Sequence, residues 1–169
     1  MAQIFENGAT FALKKAIKAK NGGLDIAYTM QYTDGLCVTN RIVSTRIIHP
    51  DLERLFAQLE PIAAKVFTLP NTDSIAVIGI SFAGKAENYG CAIISTFFTD
   101  ALQATNIVTP HLHFHKNNYG HFYKNNYGFE HELEAIATAI EYECYQYLFE
   151  DKEADLQAFH PDINTADNE

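Results

Sequence analysis

LDIAYTMQYTDG, residues 24–35, decides how the rest of the chain folds. Leu24, Ile26, Tyr28, Met30 and Tyr32 alternate with Asp25, Ala27, Thr29, Gln31 and Thr33. That period of two belongs to a strand with one face buried. Turn chemistry brackets it, with Asn21-Gly22-Gly23 before and Asp34-Gly35 after, and both are hairpin signals. The flanking segments, residues 11–20 and 36–48, are therefore predicted to be its antiparallel neighbours. In the first of them, strict alternation places Phe11, Leu13, Ile17 and Ala19 on one side and Lys14, Lys18 and Lys20 on the other.

Downstream, His49-Pro50 opens a helix, with Asp51 and Glu53 near the positive end of its dipole. Leu52, Leu55, Phe56, Leu59, Ala63, Val66 and Phe67 make one apolar stripe, and Pro61 inside it predicts a kink. Three further strands are expected over 75–82, 91–98 and 106–114. The first two are apolar on both faces, a pattern of strands covered twice. A final helix follows Gly128, with the stripe Phe129, Leu133, Ile136, Ile140, Cys144 and Tyr147 and glutamates on what reads as a solvated face. The chain is thus predicted to be α+β, an antiparallel sheet of about six strands in βββα-βββα order with two amphipathic helices packed on one face. Two helices leave the other face short of cover, so a homodimer is expected.

The 169 residues carry a net charge of −9, unevenly spread. Residues 1–48 hold six basic against three acidic residues, and residues 150–169 hold one against seven. The reading is one domain over 1–149 and an acidic, mobile tail over 150–169. Cys37, Cys91 and Cys144 are odd in number and lack a CxxC pair, which points to a reducing compartment. With no basic leader before an apolar run and no apolar stretch of membrane length, the expected location is cytoplasmic, with no membrane partner.

The segments VIGISFAGKAENYGCAIISTFF (77–98), NIVTP (106–110) and YGFEHELEAIATAIEYECYQYLFEDK (127–152) resemble a group of small proteins of bacteriophage and prophage type. In that group a glycine-turned hairpin, a strand ending near a proline, and a YGFE-led helix ending in YLFE follow one another similarly. The likeness spans about residues 75–152. It implies a phage-type setting, and it implies no chemistry and no active-site residues.

Between the last strand and the last helix an octapeptide is doubled, HFHKNNYG (113–120) followed by HFYKNNYG (121–128). Loops accept such insertions at small entropic cost. Its Lys116, Tyr119, Tyr123, Lys124 and Tyr127 combine cations with rings that stack on bases. Together with Lys14, Lys18, Lys20, Arg41 and Arg46 they form the candidate interface for single-stranded nucleic acid. His111, His113 and His115 share one face of a strand and offer the alternative of a metal-dependent enzyme, although no fourth ligand has a recognisable spacing. The Gly84-Lys85 turn lacks phosphate-loop spacing and reads as a hairpin. The reading is a non-enzymatic accessory protein without a cofactor, which binds single-stranded nucleic acid or its processing machinery. A third class is an acidic inhibitor that binds a host (defence) protein through charge mimicry, so the expected partners are single-stranded nucleic acid or a host or phage protein.

Overall fold

A computed structural model describes residues 3–5, 8–85, 88–99, 103–114 and 128–152. The fold is α+β, built on one antiparallel sheet. Strands β1 (Gln3–Ile4), β2 (Thr10–Lys18), β3 (Leu24–Gln31) and β4 (Cys37–Ser44) precede helices α1 (Pro50–Gln58) and α2 (Glu60–Val66). Strands β5 (Ile75–Ala83), β6 (Gly90–Phe98), β7 (Ala104–Val108) and β8 (Leu112–His113) precede helix α3 (Glu130–Phe149). Across the sheet the order is β4-β3-β2-β5-β6-β7, with β1 on β2 and β8 on β6. The first long strand of each half therefore meets the other at the centre.

The alternation in residues 24–31 is kept in three dimensions. Leu24, Ile26, Tyr28 and Met30 are buried, while the residues between them are only partly covered. β3 pairs with β4 in unbroken register, from Leu24 opposite Ser44 to Gln31 opposite Cys37. On the other side its pairing with β2 shifts between Leu13 and Lys15. This bulge adds one residue to β2, so Ala16, not Ile17, joins Phe11 and Leu13 in the core.

Two departures follow from backbone chemistry. The helix expected to kink at Pro61 breaks into α1 and α2 around Leu59, with Pro61 in the first turn of α2, where its missing N–H costs nothing. The strand expected over 106–114 is interrupted by Pro110. There the Thr109 hydroxyl accepts from the Ile93 N–H at 2.9 Å, and the Thr109 N–H donates back to the Ile93 carbonyl at 3.0 Å. The ladder survives the interruption because a side chain replaces the missing backbone partner.

α3 packs on β2 and α1, and α1 and α2 pack on β5. The core runs through Phe11, Leu13 and Ile26 of the sheet, Leu52 and Phe56 of α1, and Leu133, Ile140 and Cys144 of α3. Phe5, Phe11, Tyr28, Tyr145 and Phe149 form a cluster of edge-to-face and tilted ring pairs tying the first strands to the end of α3, with centroids 5.1–5.9 Å apart. Such pairs add about 0.5–1.5 kcal/mol each beyond their buried area. No described helix is long and apolar enough to cross a membrane.

Candidate functional site

The bulge in β2 rearranges the candidate lysines. Lys14, Lys18 and Lys20 were expected on a common face, and they do not share one. Lys14 is the extra residue of the bulge and is exposed. Lys18 pairs with buried Leu24 and lies on the core side, its Nζ 5.5 Å from the centre of the Phe56 ring. Lys20 sits in the turn beyond the strand, exposed. Strict alternation fails because a bulge inserts one residue and reverses facing beyond it.

The residue that takes their place is Lys15. It is exposed, and its partners are Ala27 on β3 and Ser81 on β5. Ala27 pairs in turn with Arg41 on β4. One row thus crosses four strands on the face opposite the core, reading Arg41, Ala27, Lys15, Ser81. Adjacent strands lie about 4.8 Å apart, so the backbone positions of Lys15 and Arg41 stand about 10 Å from each other across an alanine. The next row toward the β3–β4 turn, Thr39, Thr29 and Ala12, is small and uncharged. On the other flank, Asp25 and Ile17 follow.

Arg41 forms a two-pronged pair with Asp25, 2.9 Å from Nε and 2.7 Å from Nη2. The hydrogen bond from Arg41 holds the Asp25 carboxyl below the usual carboxylate range, with Lys15 adding to the effect. Partial burial is the main opposing influence, and it does not outweigh the pair with Arg41. The Arg41 side chain remains 69% exposed, and exposed pairs of this kind are cheap to exchange for another anion.

Arg46 serves the fold. Its guanidinium donates to the carbonyl of Tyr147, bonds Asp151 at 2.9 Å and lies 4.7 Å over the Tyr147 ring. The Tyr147 hydroxyl lies 2.8 Å from Ser44 Oγ and against the carbonyl of Arg46. These bonds fasten the C-terminal end of α3 to the end of β4.

Beside this joint, His49, Asp51 and Glu143 bring three potential metal-ligand atoms within 4.8 Å of one another, the one such group among the described residues. Lys152 supplies a cation there, its Nζ 3.2 Å from Asp51 and 2.8 Å from Glu143. Chiefly through the hydrogen bond from Lys152, the Asp51 carboxyl is held below the usual carboxylate range. For Lys152 itself, burial works against the ammonium, but hydrogen bonds to Glu143 and Asp51 prevail and raise its pKa. His49 also caps α1, its Nδ1 accepting from the Asp51 N–H at 3.2 Å. The cluster is a latch between α1 and α3. Changing Lys152 to Met is expected to lower the melting temperature by no more than about 4 °C, an effect that fades in high salt; thermal scans at two salt concentrations check it.

Of the histidine run, His111 Nε2 lies 3.1 Å from the Asn88 carbonyl, and the His111 and His113 rings stand edge to face at 4.8 Å. His115, Lys116, Tyr119, Tyr123, Lys124 and Tyr127 lie outside the described residues, as does the acidic stretch 153–169.

Two buried groups escaped the reading of the sequence. Glu130 and Glu141 belong to α3, whose glutamates were expected on a solvated face, yet both are buried. Glu141 accepts the Leu13 N–H at 2.9 Å, beside the bulge. Burial pushes its carboxyl upward, and the Leu13 bond and Lys14 pull it only partly back. The signal was its place between Ile140 and Cys144 on the apolar stripe. Burial also raises the thiols of Cys91, to about 12, and Cys144. Compared with known proteins, the chain matches no family model, no curated sequence and no solved structure.

Proposed function

We propose that this is a non-enzymatic accessory protein of the phage type that binds single-stranded nucleic acid across β4, β3, β2 and β5, on the sheet face opposite the core. The observation that carries the reading is the cross-strand row Arg41–Ala27–Lys15–Ser81. In a chain of net charge −9, it presents two cations across small side chains, with Lys14 exposed beside them. Small residues let a sugar–phosphate backbone approach closely, and the cations meet phosphates whose counterions are released on binding. Asp25 holds Arg41 in place until a phosphate takes over part of that charge. The tyrosines of the doubled octapeptide supply base stacking in this reading.

Charge reversal at the centre of the row tests it. Lys15→Glu is expected to abolish retention on single-stranded DNA in low salt, whereas Lys20→Glu, off the row, leaves it within about threefold. Removing residues 153–169 takes away acidic groups that compete for the same face, so retention should strengthen. Equal retention of the Lys15 and Lys20 variants would overturn the assignment of this face. An acidic inhibitor would instead fail to bind nucleic acid in any variant.

A further inference from the structure

We propose that β4 is a self-association edge, pairing antiparallel with β4 of a second copy about a two-fold axis through Asn40. The inference stands independently of nucleic-acid binding. Among the described strands β4 pairs with β3 alone. Its ladder runs without a bulge over its whole length. Natural sheets blunt such edges with lysine, proline, bulges or short strands. β4 has no lysine, proline or bulge and its one charge, Arg41, is paired with Asp25 of the same chain, while the opposite edge, β7, is shorter and is followed by Pro110, which has no N–H to offer.

Apolar exposure collects at the same edge. Val43 is 63% exposed, and Leu36, Ile42 and Ile47 lie on or beside the strand with large exposed surfaces. Arg41 is the sole charged residue of β4, and Asp25 of the same chain answers it. The edge is therefore locally neutral in an acidic protein, where two copies approach with least repulsion.

The register follows from which backbone groups point outward. The Tyr32 N–H donates to the Leu36 carbonyl at 2.8 Å. Hydrogen-bonded pairs then recur at every second position, Met30–Val38, Tyr28–Asn40, Ile26–Ile42 and Leu24–Ser44. The backbone groups of Cys37, Thr39, Arg41 and Val43 face away from β3. Pairing all of them with a second β4 sets Cys37 against Val43 and Thr39 against Arg41, each twice. Asn40 then meets Asn40 on the axis, where two amides bond each other, flanked by Val38 against Ile42. No like charges oppose one another, whereas the register centred on Arg41 would set two guanidinium groups face to face. The two sheets join, and the face carrying Lys15 and Arg41 becomes continuous across both copies.

The experiment uses the whole chain. Light scattering of the wild type at micromolar concentration should give twice the 18.9 kDa chain mass. Thr39→Pro removes an outward N–H and leaves the β3 ladder intact, so it should give a folded monomer by circular dichroism. In a Cys37→Ser background, Asn40→Cys should form a disulfide dimer under mild oxidation, because facing non-hydrogen-bonded residues have Cα atoms about 4.5 Å apart, within disulfide reach. Thr39→Cys in that background, facing Arg41, should stay monomeric on a non-reducing gel. If Thr39→Pro does not fold, the Asn40→Cys cross-link decides alone. A wild-type monomer, or a dimer that Asn40→Cys fails to cross-link, would overturn the proposal.

Discussion

Replacing Glu141 with leucine is expected to destabilise the protein by about 1–3 kcal/mol at neutral pH, because the buried Leu13 N–H beside the bulge loses its acceptor. Glutamine should behave differently. Its amide oxygen still takes the Leu13 N–H, and it brings no charge into the core. The sign with pH separates the two effects. Burial raises the Glu141 carboxyl above its ordinary 4.5, so the folded state binds this proton more tightly than the unfolded chain. The stability gained is complete below the unfolded value and is lost as pH rises through the folded one. Glu141→Gln should therefore compare least favourably with wild type in acid and improve relative to it toward neutrality. Urea melts at several pH values check this. A difference that does not change with pH would mean that Glu141 titrates as an exposed carboxylate.

The second large effect is expected at Gly79, in the centre of the sheet. A methyl group there would sit 2.4 Å from the Ala16 carbonyl oxygen and 2.9 Å from Ile17 Cγ1. The oxygen belongs to β2, which β3 holds from the other side, so the backbone has little freedom to retreat. The pairing of β5 with β6 shifts at this point, between Val77 and Gly79. Gly79→Ala is expected to cost about 3 kcal/mol, the upper end of overpacking penalties, seen as a lower urea midpoint with an unchanged slope. A midpoint equal to wild type would show that β2 and β5 separate more easily than their register suggests.

Glu141 and the bulge beside it mark where the sequence stopped being readable. β3 was legible because Leu24, Ile26, Tyr28 and Met30 alternate strictly and glycine turns flank it. α3 was legible because its apolar residues recur at helical spacing after Gly128. The bulge at Lys14 has no compositional mark: alanine and lysine fill either face, so nothing showed that the facing reverses before Ala16. That one residue moved Lys18 to the core side over Phe56 and put Lys15 in the cationic row. Glu141 was hidden by its charge, since its position on the stripe said buried and its side chain said solvated. Arg46 read as a free cation because its partners, Tyr147 and Asp151, are about a hundred residues away along the chain.

The most direct test of the central claim is the salt dependence of single-stranded DNA binding by the full chain, followed from ~50 mM salt upward. If Lys14, Lys15 and Arg41 meet phosphates, the logarithm of the binding constant should fall against the logarithm of salt with a slope of about −2, at roughly −0.7 per contact. Lys15→Glu should remove measurable binding altogether. An absence of binding at the lowest salt by both the full chain and the chain ending at residue 152, or binding that salt does not weaken, would contradict the account.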